Sequence, residues 1–146
     1  MRVRINDNTV SDNLILKIRL DFRAEGKNGR FFFGTKTCQA MAELCREEQK
    51  NILKNVPLKG VVLLDIDMSM DIYSIQEGER RRKREIAYAP LLLTIQVDSI
   101  ENIIPLIIRQ EFKQIELVKP ENYNVSKLEL KRLIYVIHNT YYHLNN

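Results

Sequence analysis

Arg80-Arg81-Arg82-Lys83-Arg84 concentrates five consecutive cations in one short stretch. Carried on a loop, such a run can neutralise several phosphates, releasing counterions at each contact, so that binding weakens as salt rises. Guanidinium suits this task because its planar fork grips phosphate oxygens bidentately. The run points to an anionic partner, either nucleic acid or a phosphorylated ligand. Glu77, Glu79 and Glu85 flank it and offset part of its charge, which leaves a solvated cluster or contact with an acidic protein surface as other readings. No aromatic residue is interleaved to stack bases.

Asp65, Asp67 and Asp71 recur at even spacing in a strand-like stretch, so they share one face, with successive carboxylates about 7 Å apart. Paired carboxylates can hold a hard divalent cation and support metal-dependent phosphodiester cleavage. Lys17, Arg19 and Arg23 line the polar face of another strand, and cross-strand ion pairs would account for the acidic row without a metal.

His138 and His143 are five residues apart and lack the i, i+4 spacing of a metal pair. Tyr135, His138 and Tyr142 lie opposite an apolar helical stripe and form a candidate interface patch, since such residues are enriched where proteins meet. Phosphate-cradling glycine loops, zincin motifs and nucleophile elbows are absent from the sequence. Cys38 and Cys45, seven helical positions apart, lie about 10 Å from each other, too far for a disulfide, and read as small core residues. No cofactor is implied.

The elements that must position these residues follow from periodicity. Leu14, Leu16, Ile18, Leu20 and Phe22 alternate with Lys17, Arg19, Asp21 and Arg23, which predicts a half-buried strand. Asn28-Gly29 signals a tight reversal into the aromatic stretch Arg30 to Gly34, so residues 14–34 read as a β-hairpin. There Phe31 and Phe33 read as core or interface residues. Cys38, Met41, Ala42, Cys45, Ile52 and Leu53 recur at helical spacing, with Thr35 or Thr37 as cap, and predict a helix from 38 to 55. From Val61 to Ile75 the residues Val62, Leu64, Ile66, Met68, Met70 and Ile72 form one apolar strand face. Pro90 to Asp98 gives a second strand, with Leu91, Leu93, Ile95 and Val97 inward, and residues 76–89 read as a polar connection carrying the basic run. A helix starting near Asn102 puts Pro105 in its first turn; the apolar run through Ile108 keeps a buried strand open. Gln114 to Lys119 predicts a strand. Ser126-Lys127-Leu128-Glu129 is a capping box opening a last helix with Leu130, Leu133, Ile134, Ile137, Tyr141 and Leu144 on one stripe.

From residue 30 onward the order is strand, helix, strand, strand, helix, strand, then a terminal helix. That is the βαββαβ pattern of the ferredoxin-like arrangement, preceded here by a β-strand or hairpin. The expected class is α+β, with a largely antiparallel sheet and helices on one face. The leading strand fits awkwardly: either the strand order differs, or the hairpin pairs elsewhere, including in a second copy.

The 146 residues, 45% hydrophobic and 29% charged, suffice for one domain over 1–146 with a core that needs no metal or disulfide. No apolar run reaches the ~18–20 residues of a membrane helix, and Met1-Arg2-Val3-Arg4-Ile5-Asn6-Asp7 lacks the apolar stretch of a signal peptide, so a cytoplasmic protein without a membrane partner is expected. The formal charge of +4 is modest, so its distribution matters more than its sum. The leading expectation is a non-catalytic binding or regulatory module, self-associating through a sheet edge, its polar face or its last helix. Its partner would meet Arg80 to Arg84. The competing classes are a metal-dependent phosphodiester enzyme and an assembly protein.

Overall fold

The computed structural model describes residues 13–26, 37–79 and 83–144. β1 (Leu14–Glu25) keeps the predicted alternation, with Leu14, Leu16, Ile18, Leu20 and Phe22 buried. The return strand expected at Arg30 to Gly34, and the Asn28-Gly29 turn before it, lie outside the described residues. α1 (Cys38–Asn55) starts where Thr37 accepts a hydrogen bond from the backbone N–H of Ala40, which satisfies one of the donors a helix start leaves open. Gly60, at φ +71°, then turns the chain into the next strand; a Cβ there would collide with Asn102 and Asp98, which are hydrogen-bonded to each other.

The single strand expected over 61–75 is two strands. β2 (Val61–Asp67) and β3 (Tyr73–Glu77) are separated by a link in which the Asp67 carboxylate accepts the Ser69 N–H at 2.8 Å. An Asp bonding to the backbone two residues on offers the chain an alternative to the strand ladder. The register shifts between Leu63 and Asp65, a bulge that changes which side chains face inward. Val61 and Leu63 pack on the core before it, Ile66 and Met68 after it, while Val62 and Leu64 are about half exposed at 54% and 48%. The expected face of Val62, Leu64 and Ile66 is therefore corrected.

β4 (Arg84–Val97) begins six residues earlier than expected at Pro90, so most of the expected loop over 76–89 is strand. Pro90 falls mid-strand, where a missing N–H ordinarily breaks a ladder. Its position is opposite the interrupted link of the neighbouring edge, since the β2 ladder stops at Leu92 and the β3 ladder at Tyr88. Arg46, from α1, fills that gap: its guanidinium donates to the carbonyls of Pro90 at 3.1 Å and Met70 at 3.2 Å.

After β4 a 3-10 turn (Ile100–Ile103) leads into α2 (Ile104–Ile107), a single turn with Pro105 near its start, in place of the longer helix expected. β5 (Phe112–Lys119) and α3 (Lys127–Leu144) follow. The capping box is reciprocal: Glu129 N–H donates to the Ser126 hydroxyl, and Ser126 N–H to the Glu129 carboxylate.

The sheet is antiparallel, in the order β2-β4-β1-β5, with β3 also on β4. Leu91, Leu93, Ile95 and Val97 of β4 share a core with β1, joined by Cys45 and Leu53 from α1 and by Ile103 and Leu106 beyond β4. The opposite sheet face carries Lys17, Arg19, Asp21 and Arg23. The stripe expected to bury α3 does not: no residue of α3 is buried, and its half-buried positions are Glu129, Leu133, Val136 and Thr140, on a helix that touches the 3-10 turn and α2.

Candidate functional site

The β3–β4 ribbon sets the position of the basic run. Its ladder extends from Tyr73 opposite Tyr88 to Glu77 opposite Arg84, and the joining sequence is Gly78-Glu79-Arg80-Arg81-Arg82-Lys83. Arg80, Arg81 and Arg82 lie outside the described residues; Lys83 and Arg84 are exposed. The flanking acids are engaged away from the run. The Glu85 carboxylate accepts the Cys38 thiol at 2.9 Å, and Glu77 lies 3.9 Å from the Arg23 guanidinium. Arg84 meets Glu25 at 3.3 Å, and Arg23 meets the same carboxylate at 2.8 Å. These exposed pairs are worth little in stability, but they show where the acids point. Burial first, then the bond to Glu85, pushes the Cys38 thiol above its ordinary value, so it stays protonated. Both cysteines are free.

Beside the ribbon, the helix-free face holds a cluster that the sequence did not single out. Asp21 is 1% exposed, and both its oxygens are used. Arg19 grips them bidentately at 2.8 and 2.9 Å, and the Tyr73 hydroxyl donates a short hydrogen bond to one. Burial, then the bond to Asp21, pushes the Tyr73 phenol up to about 12. Tyr73 stacks on Tyr88 with ring centroids 5.2 Å apart, and the Lys113 ammonium lies 5.4 Å from the Tyr88 centroid. The available signal was the i, i+2 pairing of Arg19 and Asp21 on one strand face. Their contact with Tyr73 required knowing that β3 lies two strands away.

An open cleft of about 540 Å³ adjoins this cluster at the start of β5, lined by Asp21, Arg23, Tyr88, Arg109, Glu111 and Lys113. Arg109 is held by Glu111 at 2.8 Å and Gln49 at 2.7 Å, and lies 5.7 Å from the Phe22 centroid. With Asp21, Arg23 and Arg109 each paired, Lys113 is the one lining cation with no carboxylate within ion-pair distance among the described residues.

The acidic row is dispersed. Asp65 and Asp67 stay on β2, but Asp71 falls in the link, beyond the strand expected to align the three. The Asp67 carboxyl is held below its usual range by its hydrogen bonds with Ser69. Among the described residues no three His, Cys, Asp or Glu side chains gather as a metal would require. Nor do Lys17, Arg19 and Arg23 face this row directly, because β4 lies between β1 and β2. On α3, His138 stacks on Tyr142 at 6.2 Å, and Tyr135 and Tyr142 are both exposed. No described helix is long and apolar enough to cross a membrane.

Comparison with known proteins yields no match: no family model, no curated protein and no solved structure aligns significantly with the chain.

Proposed function

We propose that this chain is a non-catalytic binding module whose basic β3–β4 hairpin engages a phosphate-bearing partner. The observation that carries the reading is the direction of the neighbouring acids. Glu85 serves Cys38, and Glu77 and Glu25 serve Arg23 and Arg84, which leaves Glu79 as the one acid in the joining sequence to offset Arg80, Arg81, Arg82 and Lys83. Lys113 adds a further cation on the adjoining face. A sheet-borne ribbon suits such a role, because paired strands hold its base while the charges meet a ligand.

The scaffold reads as ferredoxin-like, with β2 and β3 taken together as one interrupted edge strand. β1, α1, β2/β3, β4, α2 and β5 then follow the βαββαβ order, and the neighbour sequence β5-β1-β4-β2 supports this. On this reading the first strand of the pattern is β1 rather than residues 30–34, which removes the awkward extra strand.

The test is binding of a single-stranded oligonucleotide and of inorganic polyphosphate across a salt series, with the chain and its Arg80→Ser/Arg81→Ser/Arg82→Ser variant. The parent should bind more weakly as salt rises. The variant should lose most affinity at unchanged melting temperature, its log–log salt slope falling by roughly 0.7–0.9 per phosphate contact removed. A parent that binds neither probe at low salt, or a variant that binds as the parent does, overturns the reading.

A further inference from the structure

α1 and α2 both contribute to the core on one face of the sheet, and the space between them is not filled. The chain leaves α1 at Val56 and Pro57, and α2 is a single turn of four residues, so little helix remains to close the gap. An apolar cavity of about 140 Å³ opens there. Leu53 of α1, Leu63 of β2, Leu93 and Ile95 of β4 and Leu106 of α2 line it, together with Lys54. Leu93, Ile95 and Leu106 are buried, so the cavity reaches into the core. Leu53 and Leu63 are only partly buried, which leaves a way in from solvent.

We infer that this cavity binds a small aliphatic carboxylate, its hydrocarbon end among the leucines and its carboxylate on Lys54. Volume sets the size of the guest. An apolar void of about 150 Å³ stays dry and takes a molecule the size of benzene, so this one holds a hydrocarbon of about six carbons. Water is a poor occupant, because a buried water needs about two to four polar partners and the lining offers one polar side chain. Charge sets the head group. Lys54 is the only charged residue on the lining, and among the described residues no carboxylate lies within ion-pair distance of it. Lys50, one turn earlier on α1, is by contrast held by Glu47 at 3.2 Å. A carboxylate at the end of the buried chain meets a free ammonium, whereas an amine in its place meets a like charge.

This inference is independent of the anion-binding hairpin, which joins the other end of β4, and hexanoate is the probe. On the full chain it should shift the methyl resonances of Leu63, Leu93, Ile95 and Leu106 saturably, and raise the melting temperature by mass action. From butanoate to hexanoate each added methylene should raise affinity about fourfold. Hexylammonium should bind more weakly than hexanoate. Lys54→Gln should lower the ratio of hexanoate to hexan-1-ol affinity by about two- to fivefold, the range for an exposed ion pair; a lysine with a merely structural role would leave that ratio unmoved. Leu53→Phe should fill the space and abolish hexanoate binding. Val61→Leu, which adds a single methylene to another lining residue, is the second variant should the first disturb the fold. No saturable methyl shift at millimolar hexanoate, binding that neither filling variant weakens, or a ratio unchanged by Lys54→Gln overturns the inference.

Discussion

The carboxylate of Asp21 ties β1 to β3. It sits on β1, is gripped by Arg19 two residues back, and takes the Tyr73 hydroxyl from β3 across the intervening β4. Asp21→Ala leaves the Arg19 guanidinium and the Tyr73 phenol without their shared acceptor. The cost should be about 2–3 kcal/mol, below the ~3–5 of a fully buried pair because Arg19 keeps some water contact; urea unfolding measures it. Tyr73 adds a pH signature. Its phenol ionises near 10 when unfolded and is pushed up to about 12 in the fold. Below pH 10 both states hold the proton and the bond to Asp21 stabilises fully. Between pH 10 and about 12 the unfolded chain gives up its proton first, so stability falls as pH rises. Tyr73→Phe should lower stability at neutral pH by about 1–2 kcal/mol and flatten that alkaline loss. Near-ultraviolet titration of the parent should show an ionisation near pH 12 that Tyr73→Phe removes.

Among the elements, β2 shows most clearly how the sequence misleads. Alternation from Val62 to Ile72 is unbroken in the residues, yet the bulge at Leu64 and the Asp67–Ser69 hydrogen bond interrupt it in space. Periodicity reports side-chain type along the chain and is blind to one inserted residue, which reverses every face beyond it. The consequence is measurable: Leu64→Thr should change stability by no more than about 0.5 kcal/mol, whereas Leu63→Ala should cost about 2 kcal/mol. A larger cost at Leu64 than at Leu63 would restore the face read from alternation. β1, α1, β5 and the start of α3 were legible because local signals and burial agree there: strict alternation, the Thr37 cap, the Ser126–Glu129 box. α2 was overextended, since a run of β-branched isoleucines satisfies a helical pattern without favouring the helix. Of the candidate site, the basic run was visible as composition. The turning away of Glu77 and Glu85 was not, because it depends on β1 and α1 lying beside the ribbon.

At the scale of the whole molecule, the net charge of +4 dissolves into local pairings on β1 and just before β5, leaving a concentrated excess at one hairpin. Exposed apolar side chains are most numerous on α3, with others spread over α1, β2 and β5. The sheet's margins say which route of association is closed. One outer margin is split into β2 and β3, seven and five residues long, with a bulge and with Arg46 occupying the gap. The other, β5, shifts register twice and carries Lys113, Glu116 and Lys119. A strand arriving from another molecule meets no straight, uncharged template of useful length among the described residues, and growth of the sheet into a fibre is frustrated.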